Sequence, residues 1–374
     1  MRVVIAHDFL ETYGGAERVT QEMAALYPDA PVWAVLGRAA VAERMGIGDR
    51  WTPVLPARRR VLSGYRSLAP VMPAIVRSAH LPSADVLLTS SYAFAHHFRT
   101  ADRAPQVCYC HSPLRFAWTM TADYRDRLAH GRAAALAFDA LAAAMRRSDR
   151  RAASRVTTYL TQSDYTADQI ARFYGRTAAV IGAPIDCELF VPDQAAGDAG
   201  YFLLCGRLVE PYKKAAATIA AFRDMPDRRL VIAGDGPAMA ELRAAATPNV
   251  TFTGHLEDAA LVELMQRCTA LVFPSQDDFG LLPLEAMACG RPVLAFDAGG
   301  ARHTVVEGVT GTRFPAQTPE AIAGAVERFD PSAYDREAIR RHALRWDRPA
   351  FRRRLAQAVT AAATGTAFRP GDAP

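Results

Sequence analysis

The chain has 374 residues, half of them apolar and 22% charged, with a net charge of +5, a globular composition long enough for two domains. No apolar run reaches the roughly 18–20 residues that span a bilayer. The six scattered cysteines (108, 110, 187, 205, 268 and 289) read as reduced thiols in a cytosolic chain rather than a disulfide framework.

Met-Arg runs directly into "VVIAHDF", so no signal peptide is expected. "RVVIAHDF" reads as a buried strand, "LETYGG" as a turn and "AERVTQEMAALYP" as a helix. "PVWAVL", "ADVLLTSS" and "APQVCYCHS" read as further strands. A long helical region follows from about Asp123 to Ser154, then strand "VTTYLTQS" and helix "DYTADQIARFYG". A second alternating series starts at "GYFLLCGRL" and runs through "KAAATIAAF", "RRLVIAGDGP", "AMAELRAAA", "NVTFTGHL", "DAALVELMQRC", "ALVFPS", "LPLEAMACG", "PVLAF" and "GARHTVVEG". Strand-helix alternation of this kind predicts an α/β protein of two Rossmann-like βαβ domains, with ligands at the carboxyl ends of parallel strands and two such edges facing across a cleft. The expected boundaries are a first domain over 1–185, a linker over 186–200 and a second domain over 201–345. A C-terminal helix over 346–362 is expected to return to the first domain, followed by a disordered tail over 363–374.

Five stretches can carry chemistry. In "PSQDDFGLLPLEAMACG", Pro283 fits the first turn of a helix, which places Glu285 in that turn and Asp277 on the loop before it. The plain reading is a carboxylate complementing a helix dipole. The sharper one is a diphosphate on the loop amides near Gly280 and the helix start, with Glu285 at ribose hydroxyls and Asp277 facing the attached group. "GRLVEPYKK" supplies Arg207 with Lys213 or Lys214 as cations for two phosphates; a solvated helix start is the alternative for the lysines. Gly14 and Gly15 lie where backbone can approach a ligand, but the pattern is not GxGxxG, and a tight turn also wants glycine. In "CYCHSPLRFAWTM", His111 follows a strand, with Arg115 and Trp118 just after. No second half-site accompanies the Cys-x-Cys-His cluster, so no metal is expected there. "RRRVLSGYRSLAPVMPAIVR" (58–77) fits either a lipid-facing segment or a cationic loop and a helix packed on the core. P-loop, GxSxG, HExxH and kinase signatures are all missing.

"GRLVEPYKK", "VIAGDGP", "FTGHL" and "PSQDDFGLLPLEAMACGRPVLAFDAGG" together resemble the retaining glycosyltransferases of the GT-B fold, family 4. "HDFLETYGGAERV", "YCHSPLRFAW" and "TQSDYTADQIARFYG" look like the bacterial mannosyltransferase-like branch that builds O-antigen and exopolysaccharide repeats. The resemblance implies Glu285 at the donor ribose, Asp277 and His111 at the transferred sugar, and Arg207 and Lys213 on the diphosphate. It further implies a glycine loop at Gly14 and Gly15 and loop amides from Phe279 and Gly280 to Leu281 and Leu282. Two departures stand out: the first acid is Asp277 where the family usually has Glu, and Lys213 lies one residue further from Arg207 than usual.

The expected function is a metal-independent hexosyltransferase with no cofactor. It would take a sugar from a nucleotide diphosphate, GDP-mannose being favoured, and pass it with retention to a polyprenyl-diphosphate-linked oligosaccharide. Attack from the same face and a double displacement through a protein carboxylate both satisfy retention. Charge supports an anionic partner: residues 1–190 hold 23 arginines, no lysine and 17 acids, a net of +6, against −1 for the remainder. Location on the inner face of the plasma membrane follows, and nucleic acid is not expected, for want of a zinc-finger spacing, an RNP-like motif or a long basic helix. The alternatives are a UDP-sugar donor, a nucleotide-sugar epimerase, and a non-catalytic nucleotide-sugar-binding protein.

Overall fold

The computed structural model describes residues 1–56, 65–193, 195 and 197–368. They form two compact units, one of Met1–Pro184 with the chain from Pro349 onward, the other of Ile185–Arg348.

The first unit is built on a seven-stranded sheet of order β3-β2-β1-β4-β5-β6-β7. The strands are β1 (Val3–Leu10), β2 (Val32–Gly37), β3 (Trp51–Pro53), β4 (Val86–Ser91), β5 (Gln106–Cys110), β6 (Thr158–Thr161) and β7 (Ala178–Val180). Every pairing is parallel. β1, β4 and β5 are buried at every position, the mark of strands covered on both faces, and this is why they read as continuous apolar runs rather than as alternation. The strand order reverses between β1 and β4, the switch point where α/β sheets bind ligands. One residue ties that point together. Asp8, fully buried near the end of β1, accepts the amides of Tyr92 (2.5 Å), Ala93 (2.8 Å), Phe94 (2.5 Å) and Ala95 (2.6 Å), all just beyond β4.

The helix Arg348–Thr364 starts at the unit boundary and buries Phe351, Leu355, Ala358 and Val359. Phe351 meets Tyr109 of β5 edge-on at 5.8 Å, and Arg352 pairs with the buried Glu22 at 2.6 Å.

The second unit carries a six-stranded parallel sheet of order β10-β9-β8-β11-β12-β13. Its strands are β8 (Tyr201–Cys205), β9 (Arg229–Ala233), β10 (Val250–Gly254), β11 (Ala270–Phe273), β12 (Val293–Phe296) and β13 (Gly311–Phe314). Helices Ala215–Arg223 and Pro319–Glu327 cover one side of it. Ile219, Phe222, Ile322 and Val326 join Phe202, Leu230, Val272 and Phe314 in one core.

Several expectations need correction. The stretch 186–200, expected as a linker, is packed into the second unit wherever it is described. Phe190 and Cys187 are buried, Arg340 donates to their carbonyls at 2.9 and 3.0 Å, and Gln266 donates to that of Val191 at 2.9 Å. Pro and acidic residues suggest a loop, yet the apolar side chains between them have a core to enter. The long helical region expected from about Asp123 to Ser154 consists of two helices, Thr121–Leu128 and Arg132–Ala153, with Gly131 between them. "GARHTVVEG" is helical only over Ala301–Thr304. Of the 58–77 stretch, residues 58–64 lie outside the described residues; the helix Met72–Ser78 buries Met72 and Val76 in the core. The expected tail lies partly outside them as well, beyond residue 368.

Replacing Asp8 by alanine leaves four amides without their acceptor, a penalty of at least about 3 kcal/mol. The Tm of Asp8→Ala is expected to fall by several degrees, while Asp85→Ala, at a half-exposed ion pair with Arg2, leaves it within about a degree; differential scanning calorimetry of the full chain measures both.

Candidate functional site

In the second unit the loops that leave β8, β9, β11 and β12 form one edge. They lie backbone against backbone, which only glycine permits at the contacts. A Cβ on Gly234 would lie 2.0 Å from the Gly206 carbonyl oxygen, and one on Gly300 would lie 2.2 Å from the Phe279 Cα. Main-chain bonds lock the same pairs: Leu208 N to Asp235 O at 2.9 Å and Gly300 N to Asp277 O at 2.8 Å.

This lacing brings the residues singled out from the sequence to one edge. Arg207 is exposed just beyond β8. Lys213 reaches across to the β11 loop, its Nζ 2.8 and 3.1 Å from the two carboxylate oxygens of Asp277, with both side chains about one-fifth exposed. Lys214 is held differently, in a left-handed conformation (φ +57°) as the cap of the helix Ala215–Arg223. Glu210 fills that helix start, its Oε1 accepting from Ala215 N (2.6 Å) and Ala216 N (3.3 Å). The amides there already serve a carboxylate of the chain itself.

The helix after β11 is different. It runs from Leu281 to Ala288, with Gly280 (φ +86°) as its cap, no side-chain bond at its start and no acid in its first turn. It begins two residues before Pro283, and this corrects the placement of Glu285, which lies in the second turn. Glu285 is buried next to Cys205 and Cys289. Burial pushes both thiols up, with the Glu285 charge adding to it; Lys213 acts in the opposite sense on Cys205. The Phe279 side chain is buried, so only its backbone belongs to the loop surface. The edge thus combines a helix start able to take an anion, an exposed arginine and a lysine shared with an aspartate.

In the first unit the corresponding edge holds a buried polar chain. Gly14 adopts extended backbone (φ −147°) and donates its amide to Glu17 Oε2 at 2.9 Å. That amide is therefore engaged with Glu17, and Gly15 opens the helix Gly15–Leu26. Glu17 Oε1 lies 3.4 Å from Nε2 of His7. His7 Nδ1 lies 3.0 Å from Ser90 Oγ, and Ser90 Oγ lies 2.8 Å from His111 Nε2. His111 is half-buried just beyond β5, and its own carbonyl accepts from Gln162 Nε2 at 2.7 Å. Burial, reinforced by His7 and offset by Gln162, pushes its pKa down to about 3.

A second cluster lies beneath this edge. Asp149 accepts the Trp118 indole N–H at 2.7 Å and lies 2.8 Å from His96 Nε2 and 3.8 Å from His97 Nε2, all four side chains being buried or half-buried. Burial lowers the His97 pKa to about 4, against the pull of Asp149. Trp118 stacks on Phe173 at 5.0 Å, so it is part of the core. His7, Glu17 and Ser90 were not selected from the sequence. The signal was there for two of them: "HD" closes a strand, and Glu17 stands three residues after a glycine cap, as in a capping box.

Residues 199–329 match the family model described as Glycosyl transferases group 1. The chain is 31% identical over 216 residues to the D-inositol 3-phosphate glycosyltransferase of Kribbella flavida, covering 50% of this chain and 51% of that one. It is 30% identical over 200 residues to the GDP-mannose-dependent alpha-(1-6)-phosphatidylinositol monomannoside mannosyltransferase of Mycolicibacterium smegmatis, covering 46% and 52%. The chain thus spans about half the length of these relatives. Among solved structures, Anabaena HepE in complex with UDP and glucose superposes with a TM-score of 0.70 at 20% identity, over 96% of this chain and all of that one. The sucrose-phosphate synthase of Thermosynechococcus elongatus gives 0.70 at 16% identity, over 98% of this chain and all of that one. The matched segment therefore sits in a chain with two parallel-sheet Rossmann-like domains, the GT-B fold expected from the sequence.

Removing the Asp277 charge releases the Lys213 ammonium. Asp277→Asn is expected to bind GDP or UDP up to about five-fold more tightly, the worth of a partly exposed ion pair, as read by isothermal titration calorimetry. A second outcome concerns acid. His97 and His111 bind a proton less readily folded (about 4 and about 3) than unfolded (6.5). Stability is therefore expected to fall as pH drops below about 6.5 and to go on falling until pH passes the folded values. Urea unfolding between pH 7 and pH 4 checks this, with His97→Gln flattening the slope.

Proposed function

We propose that the chain is a retaining glycosyltransferase that moves a hexose from a nucleotide diphosphate donor, GDP-mannose being favoured. The observation that carries the reading is the β8 and β11 edge of the matched segment, which holds the exposed Arg207, Lys213 on Asp277 and the uncapped helix start at Leu281.

In this reading the donor diphosphate lies on the Gly280–Leu282 amides, with Arg207 and Lys213 neutralising it. As the glycosidic bond breaks, negative charge grows on the β-phosphate, and these fixed donors and cations stabilise it more than the ground state. Two side-chain cations supply the neutralisation, so no metal is required. Glu285, buried one turn into the same helix, takes the ribose hydroxyls. Asp277 and His111 orient the sugar. A bound diphosphate must share Lys213 with Asp277, which links donor binding to release of the aspartate toward the sugar. The acceptor hydroxyl attacks from the face the diphosphate leaves, and its proton passes to the departing phosphate oxygen.

GDP-mannose is favoured because the Mycolicibacterium relative uses it and because the first-half motifs resemble the mannosyltransferase-like branch. The observation favouring a UDP-sugar instead is the UDP complex of Anabaena HepE, with its TM-score of 0.70. For the acceptor, the net charge of +6 over residues 1–190 supports a polyprenyl-diphosphate-linked oligosaccharide at an anionic inner leaflet. Among the described residues, no helix is long and apolar enough to cross a membrane.

Thermal stabilisation by GDP, UDP, ADP and GDP-mannose, compared between wild type and Glu285→Gln, tests the donor. A GDP-selective shift is expected, with affinity at least about ten-fold weaker in the variant for the loss of charge-assisted hydrogen bonds. A UDP-selective shift replaces mannose with a UDP-sugar, and no shift with any nucleotide overturns the donor-site reading.

A further inference from the structure

The polar chain in the first unit fixes more than the position of His111. It fixes which ring nitrogen carries the proton. The Ser90 main-chain carbonyl, 3.2 Å from His7 Nδ1, can only accept, so Nδ1 of His7 bears a hydrogen. The Thr20 hydroxyl, 3.0 Å from the same nitrogen, gives its own hydrogen to Ala16 O at 2.9 Å and is left as an acceptor there, in agreement. On the opposite side of the ring His7 Nε2 faces the Glu17 carboxylate at 3.4 Å, and Glu17 is held in place by the Gly14 amide. His7 therefore directs its Nδ1–H toward Ser90, while its Nε2 faces Glu17.

Ser90 Oγ has two neighbours among the described residues, His7 Nδ1 at 3.0 Å and His111 Nε2 at 2.8 Å. It accepts from the first, so its single hydrogen goes to the second. A nitrogen that accepts cannot carry the proton, and in a neutral imidazole the proton then sits on Nδ1. Burial keeps His111 neutral, as its lowered pKa shows. The titratable groups around it are His7 from β1, with Glu17 behind it, and Arg115 from the loop after β5. The ring is clamped as well: the His111 amide donates to Ser91 O at 2.8 Å, Gln162 takes its carbonyl, and Tyr109 packs edge-on at 4.9 Å.

We propose that Ser90, itself set by His7 and Glu17, is a positioning residue that commits His111 to the Nδ1–H form, so that His111 acts toward its ligand only as a hydrogen-bond donor and never as a base. The ligand atom it serves is an acceptor oxygen; that this oxygen belongs to the transferred sugar rests on the function proposed above.

The test is a long-range proton–nitrogen correlation spectrum of the full chain labelled on its histidine rings, with His111 assigned by substitution. Wild type is expected to show His111 protonated on Nδ1 alone, and Ser90→Ala to shift that ring toward Nε2–H. In transfer assays kcat for Ser90→Ala is expected to fall about ten-fold, the worth of one hydrogen bond. His111→Asn, whose amide nitrogen falls near the ring Nδ1, retains more activity than His111→Gln, whose amide falls near Nε2. An Nε2–H ring in wild type, an unchanged tautomer in Ser90→Ala, or a more active His111→Gln overturns the proposal. An Nδ1–H ring in a chain that transfers no sugar overturns the transferase reading and leaves the relay standing.

Discussion

A parallel sheet sends all of its βα loops out at one edge, and those loops must then pack on one another without a strand to order them. The molecule meets this constraint in two ways. In the second unit, glycine backbone lies directly on the neighbouring loop at Gly234 and Gly300, so the four loops are fixed in two pairs. In the first, one carboxylate does the equivalent: Asp8 gathers four amides across the point where strand order reverses. Both devices place main-chain groups, and Arg207, Lys213 and Asp277 hang from loops that the first of them fixes.

The two edges are electrostatically unlike. On the second unit the charges are partly open to solvent, and the Lys213–Asp277 pair is shared weakly enough to be rearranged by an incoming anion. The first unit's chain from Glu17 to His111 is buried, and its hydrogen bonds leave each group a single role. A rim that can exchange partners suits binding and release of a polyanion. A rim with fixed donors suits reading the orientation of an uncharged group.

Much of this was legible in the sequence because parallel strands buried on both faces are simple apolar runs, and glycines and prolines punctuate the loops between them. The βαβ alternation and the βα loop carrying Asp277 followed from such signals. Short edge strands such as β3 and β7, each of three residues, are below the length at which any periodicity can be read. The stretch 186–200 has loop composition, but Cys187 and Phe190 find a core formed by residues far away in sequence, which no local pattern reveals. Glu285 was misplaced by one turn because Pro283 tolerates any of the first helical positions, not only the first of all. The Ser90–His111 contact joins two strands, and only the register of β4 against β5 makes it.

The six cysteines, all free and buried, have a consequence of their own. Burial raises the thiols of Cys108 and Cys187 to about 12, so the folded chain offers almost no thiolate to an alkylating reagent at neutral pH. Two of the six lie in β5 of the first unit, and the other four lie in the second. Each unit therefore carries its own silent reporters, and the rate at which thiols become reactive measures how often each sheet opens, one unit at a time.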